Sequence, residues 1–375
     1  MPAHQPNRAG WYFLRSNTVS SNNEPLCYRR MLQFNRENPS SKEVYKEMQK
    51  WHLDNKVQDG VFCPLSEVMS SNVVSKLFKK ILFEQVGSDF SKKIADVGNL
   101  TKYFVYGAWR NTLGIYEIDS EIYKQTIKSP IPLETPTDIF ERLPEWCVYI
   151  KLPEDSGFVV QDKAGGTPIA IDGFWALFDY STTSEEKERK LAIEFNPVEE
   201  GIAQSIPVLS LQIDSVDTVE DSINEYRDFQ SDIISRGSEL ERNAFVDELS
   251  RFDHSKIVQE VLSIILWLCA EEPDISNIHG EAVTSEELKE PRYGINKKTG
   301  SFVPPNKPSI YHIGRRLGGE VRTFNERNAS YSSSATSSRK RPHIRRGHWH
   351  GVWTGTGQNK QFKVYWQPAI FVNSR

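Results

Sequence analysis

An α+β fold is the class this sequence predicts. It has a helical N-terminal part, a mixed or antiparallel central sheet with flanking helices, and a short β-rich basic C-terminal tail. Three observations point there. Apolar residues recur at helical spacing up to about residue 145, shift towards a period of two, and return to helical spacing after 215. A run of Ser, Ala, Thr and Asn at 328–338 has the composition of a flexible linker. Beyond it, Phe362, Val364 and Trp366 alternate with Lys363, Tyr365 and Gln367, as in a strand with one apolar and one polar face. The expected organisation is a polar arm (1–38), a helical region (39–145), an α+β core (146–327), the linker (328–338) and the tail (339–375) docked on the body.

Each element has a local reason. Ser40 with Glu43 reads as a capping box before Val44, Met48 and Trp51. Pro64 opens a helix whose stripe runs through Val68, Val73-Val74, Leu77-Phe78 and Ile81-Leu82. A third helix is expected from about Asn99 to Ile115, and a short one begins at Thr135-Pro136-Thr137-Asp138 and ends before Pro144. Strands are expected at Trp146–Ile150, Phe174–Tyr180, Lys190–Phe195 and Pro207–Ile213. Helices follow at 215–235 and 254–270, the second apolar enough for the core. The segment 288–308 is punctuated by Gly, Pro and Asn as a loop. A short element carrying Ile310, His312, Arg315, Arg316, Leu317 and Arg322 follows it. Gly355-Thr356-Gly357 reads as a hairpin turn.

Composition narrows the function classes. At 375 residues, 26% charged and 38% hydrophobic, the chain suits a soluble globular protein with a sizeable core. The polar first ten residues do not form a signal pattern, and Ile264–Ala270 is too short to span a bilayer. Cys27, Cys63, Cys147 and Cys269 lack zinc-ligand spacing and suit free thiols in a reducing cytoplasm. Charge is uneven. From Ala329 onward there are eight Lys or Arg and no Asp or Glu, so within a net charge of −4 the preceding chain carries −12. Cations beside three Trp and three His suit a surface for polyanions, since Lys and Arg neutralise phosphates and flat rings stack on bases. The nucleic-acid-binding candidates are Arg339, Lys340, Arg341, Arg345, Arg346, His348, Trp349, His350, Lys360 and Lys363. A solvated basic rim on an ordinary small sheet is the plainer alternative.

Standard catalytic signatures are absent: no Walker loop, no dinucleotide fingerprint, no Gly-x-Ser-x-Gly elbow. No cofactor and no metal is expected, because no carboxylate or Cys lies near the His cluster to complete a site. One enzymatic alternative stays open. His343, His348 and His350 could serve as acid and base in metal-independent RNA cleavage, with Arg345 or Arg346 stabilising the phosphorane. Tyr106, Trp109, Arg110, Asn111, Trp146 and Trp175 are candidates for a peptide-recognition groove, an Arg beside Trp being able to hold a carbonyl or carboxylate. Ordinary core packing is the competing reading for them.

Several strings carry a resemblance. They are Tyr106–Tyr116, Leu143–Tyr149, Gly173–Ala176, Leu266–Cys269 with Glu272–Ile275, Ile295–Gly300, Arg316–Gly318 with Glu320–Arg322, and nearly all of Lys340–Ser374. In this order they resemble the second-named family of type V-A anti-CRISPR proteins, over roughly 40–180 and 260–375. Residues 1–40 and much of 180–250 have no counterpart in it. The resemblance implies a phage or mobile-element protein, cytoplasmic in its bacterial host, that suppresses synthesis of the type V-A CRISPR effector nuclease. It implies recognition of the effector's nascent N-terminal peptide and loss of the mRNA under translation. The expected partners are that peptide, mRNA or the translating ribosome, and a host nuclease, with homodimerisation open and no membrane. An adaptor rather than an enzyme is expected; the alternatives are the ribonuclease above or a direct inhibitor of the assembled effector.

Overall fold

The computed structural model describes residues 24–55, 60–76, 101–160, 168–180, 189–199, 209–213, 218–236, 254–331 and 343–372. Its N-terminal layer is α1 (Leu26–Glu37), α2 (Ser41–Asn55), α3 (Leu65–Ser70) and α4 (residues 101–109). The part of the expected polar arm that is described is therefore helical. Cys27, Tyr28, Met31 and Phe34 bury one face of α1 while Arg29, Arg30, Gln33 and Arg36 dilute the apolar signal. The helix opened by Pro64 breaks at Ser71, which is extended (φ −58°, ψ 143°); residues 72–76 are again helical, and the remainder of the expected stripe lies outside the described residues.

The expected third helix is too long. It stops at residue 109, because Asn111 Nδ2 caps the carbonyls of Gly107 (3.0 Å) and Ala108 (3.2 Å), and Leu113 takes a left-handed φ of 50°. The next five residues form β1 (Gly114–Ile118), a strand inside the region expected to be helical. It is followed by α5 (Ser120–Thr126), capped by Asp119, and a 3-10 turn at Thr137–Arg142. Then come β2 (Cys147–Lys151), β3 (Val159–Val160), β4 (Ile169–Tyr180), β5 (Arg189–Pro197), β6 (Leu209–Ile213), α6 (Val219–Arg236) and α7 (His254–Cys269). The chain continues through β7 (Ile275–Asn277), α8 (Ser285–Lys289), β8 (Gly294–Ile295), β9 (Phe302–Val303), β10 (Ser309–Ile313) and α9 (Arg315–Tyr331). Helix α9 takes in the first four residues of the expected linker; 332–338 lie outside the described residues.

The central sheet has the order β6-β5-β4-β2-β1-β10-β7, with β3 added to β4. Strand β1 is parallel to both neighbours, β2 and β10, and the remaining pairs are antiparallel, so the sheet is mixed. Successive strand residues point to opposite faces. Ile115, Cys147, Tyr149, Trp175 and Leu177 accordingly meet the N-terminal helices. Tyr116, Ile118, Val148, Ile150, Phe174, Ala176 and Leu191 meet the opposite layer, built around α7. That helix is apolar almost all round and buried from Val258 to Cys269, apart from half-buried Gln259 and Glu260. Among the described residues no helix is long and apolar enough to cross a membrane. All four cysteines are buried and free, and burial pushes the Cys269 thiol up to about 12.

One buried carboxylate predicts a pH effect. Glu194 on β5 is 8% exposed, and burial pushes its pKa up to about 7, offset only in part by Lys102 of α4. The folded chain therefore holds this proton more tightly than the unfolded chain. Stability from this group falls as pH rises from roughly 4.5 to 7, by about 3 kcal/mol. Glu194→Gln is expected to flatten the urea midpoint across that window; an unchanged slope rejects the assignment.

Candidate nucleic-acid interface

Residues 343–372 form four strands: β11 (His343–Arg345), β12 (His348–Thr354), β13 (Gln361–Gln367) and β14 (Ile370–Val372). Strand β11 pairs with β14, and β12 with β13, in one continuous register, since His343 faces Val372 and His348 faces Gln367. The four strands are thus one long hairpin. Its ladder is interrupted where Arg346-Gly347 face Pro368-Ala369, because Pro368 has no N–H to donate. The tip turns through Gly355 at φ +90°, with Asn359 O where a Cβ would stand.

In β12–β13 the body-facing positions are Trp349, Gly351 and Trp353 on one strand and Phe362, Val364 and Trp366 on the other. Trp349 (4% exposed) and Trp366 lean on Trp267 of α7, at ring-centroid distances of 5.2 and 5.0 Å. Gly351 leaves the space that the Phe362 ring fills, and Gly347 does the same under the Trp366 indole. Polar contacts lock the edges. Glu271 N donates to Val364 O (2.9 Å). Arg142 Nη2 donates to Phe362 O (2.8 Å) while its Nη1 holds Glu271 Oε1 (2.8 Å). Gly347 N donates to Gln125 Oε1, and Ser129 Oγ donates to Gly347 O, both at 2.9 Å.

The buried side changes at the interruption. Beyond it, Ile344 is the half-buried residue, opposite Phe371, whose ring stacks on Phe324 of α9 at 4.6 Å. Consequently His343, Arg345, Arg346, His348 and His350 are all exposed, whichever face they occupy. Lys360 is exposed and Lys363 half-buried. Among the described residues none of these seven is paired with a carboxylate. Trp349 differs from the expectation: it is a core residue, because the ribbon's alternation turns it onto Trp267. Arg339, Lys340 and Arg341 lie outside the described residues. No group of three His, Cys, Asp or Glu able to hold a metal ion occurs among the described residues.

The candidate peptide residues separate in the same way. Trp109 is fully buried, donates its indole N–H to Gly114 O (2.9 Å) and packs on Trp175 (5.8 Å). Tyr106, Asn111 and Trp175 are also buried, between the sheet and α1 and α2, where Tyr106 meets Phe34 at 5.3 Å. Arg110 and Trp146 keep some surface. The Arg110 guanidinium lies 4.9 Å over the Tyr45 ring, and burial lowers its pKa. Trp146 stacks on Tyr293 (5.2 Å) and Phe302 (5.5 Å), which belong to the β8–β9 hairpin and its lead-in. The sequence pattern places Trp267 in an apolar helix and Tyr365 on a polar strand face without marking either as a site residue, and it does not mark Arg142 or Glu271 at all. Gly347 and Gly351, small residues amid large rings, were the available sign of a tightly docked ribbon.

Comparison with known proteins gives concordant matches. The family model described as AcrVA2-like, anti-CRISPR type V subtype A2, matches residues 116–374. A crystal structure of AcrVA2 is similar with a TM-score of 0.70 and 32% sequence identity, covering 93% of this chain and 100% of that one. No curated protein matches.

Proposed function

This chain belongs to the anti-CRISPR type V subtype A2 family, and from that premise we propose that it is an adaptor. It reads the nascent N-terminal polypeptide of the type V-A effector nuclease, in the host cytoplasm, and brings about loss of the mRNA being translated. The ribbon is its contact with mRNA or the translating ribosome. The observation that carries this part is the exposure of all five His and Arg between His343 and His350, with no carboxylate partner among the described residues. Such groups exchange counterions for phosphates at little cost, since no internal ion pair has to be broken first. Arg110 and Trp146, the two candidates that keep surface, are where polypeptide contact is placed.

The test is charge reversal at two exposed positions. In cells expressing the effector, Arg345→Glu with Arg346→Glu is expected to abolish mRNA loss while capture of the effector's N-terminal peptide persists. If both activities survive, the ribbon is not the contact. A ribonuclease reading draws on one feature: His348 and His350 share the solvent face of β12, roughly 6.5–7 Å apart. Purified chain and transcript in magnesium-free buffer separate the two. An intact transcript fits the adaptor, whereas cleavage lost on replacing His343, His348 and His350 with Ala establishes the enzyme.

A further inference from the structure

We propose that the solvent face of the β12–β13 ribbon is a platform for unpaired RNA bases, with Tyr365 and His350 as the stacking pair. The inference rests on the reading of the ribbon as an RNA contact and names the class of RNA. The register sets His350 directly opposite Tyr365, with His348 opposite Gln367 and Val352 opposite Lys363. Directly opposed residues share a face, their Cβ atoms roughly 4.5–5.5 Å apart. Two flat rings therefore stand side by side in the middle of the face. Lys363 follows towards the tip, and Arg345 and Arg346 lie just beyond His348.

Neither ring is committed to an aromatic stack among the described residues. His350 is exposed and Tyr365 is half-buried. Beneath them the ribbon is held by Trp349 and Trp366 on Trp267 and by the bonds to Val364 O and Phe362 O. The rings are thus presented on a fixed backbone, which limits the ordering cost on binding. A paired RNA keeps its bases stacked inside and offers such a face only phosphates and hydroxyls. A single strand offers both phosphates for the cations and π-faces for the rings. Charge selects a polyanion, and the ring pair selects the unpaired form.

Trp353 is more exposed than Tyr365, at 60%. It points to the body side of the ribbon, edge-on to Phe362 at 5.3 Å, and so lies off this platform.

Fluorescence anisotropy with the full chain tests the inference, using an unpaired RNA of about ten nucleotides and the perfect duplex of the same sequence. The single strand is expected to bind at least about tenfold more tightly. Tyr365→Ala and His350→Ala should each lose about tenfold on the single strand alone. Tyr365→Phe should retain binding, and Trp353→Ala should leave it unchanged. Melting curves of Tyr365→Ala matching the parent keep a loss attributable to the face. Equal affinity for strand and duplex, or a Trp353→Ala loss in place of a Tyr365→Ala loss, overturns this inference and leaves the RNA contact standing. Binding to neither RNA overturns this inference and the direct mRNA contact together. If Tyr365→Ala spares RNA and abolishes peptide capture, the face belongs to a protein partner and the inference fails.

Discussion

Trp267→Ala is expected to destabilise the fold by about 3–5 kcal/mol in urea unfolding, the usual cost of emptying a buried Trp site. The side chain is 1% exposed and joins three elements. Its Nε1 donates to Thr126 Oγ1 of α5 at 3.0 Å. Its ring meets Trp349 and Trp366, which are themselves edge-to-face at 5.0 Å. Removing it empties the floor on which the ribbon rests, so the loss is not confined to α7. Limited proteolysis should then cut first within 343–372, because the remaining polar anchors at Gly347, Phe362 and Val364 are about 1 kcal/mol each. Trp267→Phe keeps most of the apolar area and loses the hydrogen bond, so its cost should be smaller. A Trp267→Ala chain that unfolds within about 1 kcal/mol of the parent shows that the ribbon is held by its backbone contacts instead.

The strand expected at Trp146–Ile150 matches β2 to within one residue at each end, and the one expected at Phe174–Tyr180 is the C-terminal part of β4, which begins earlier, at Ile169. Their alternation and bulky residues suit a sheet covered on both faces, and no competing helical pattern exists there. Strand β1 was hidden for an opposite reason. Gly114–Ile118 follows a strong helical run without Pro, and the stop signal is a non-glycine residue, Leu113, in a left-handed turn. Local propensity has little to say about such a break, which is fixed by pairing with β2 and β10 on either side.

Site residues were legible in so far as charge decides exposure. Arg345 and Arg346 must reach water, and they do. For aromatic residues the pattern was ambiguous. Tyr106 and Trp109 lie at the end of α4 and Arg110 and Asn111 in the turn after it, a composition that a groove and a core share. The sheet beneath and α1 above settle which it is, and α1 was itself masked by its polar residues. Trp349 and His350 are neighbours with opposite fates. Which of the two turns inward depends on the position of Trp267, some eighty residues away in sequence.

The second large effect is expected at Glu145. Its side chain is 3% exposed and forms an ion pair with Arg292, which is 15% exposed. Tyr116 donates its hydroxyl to the same carboxylate, and the Arg292 guanidinium lies 5.2 Å over Tyr311, which stacks on Tyr116. Gly114 permits the approach, since a Cβ there would collide with both charged groups. A buried pair of this kind contributes little net stability, because desolvation offsets attraction. Breaking it is different. Glu145→Ala leaves a guanidinium buried without its counter-charge and a Tyr116 hydroxyl without its acceptor, at a cost of about 3–5 kcal/mol. Removing both charges, as Glu145→Leu with Arg292→Met, should recover most of that loss, so a double-mutant cycle should return a large coupling energy. The pair also fixes the chain leading into β8–β9, where Tyr293 stacks on Trp146. The doubly substituted chain should therefore regain stability while Trp146 becomes more accessible to a fluorescence quencher. Near-additive single and double variants would contradict the pairing, and unchanged quenching would show that the stack with Tyr293 and Phe302 holds the hairpin unaided.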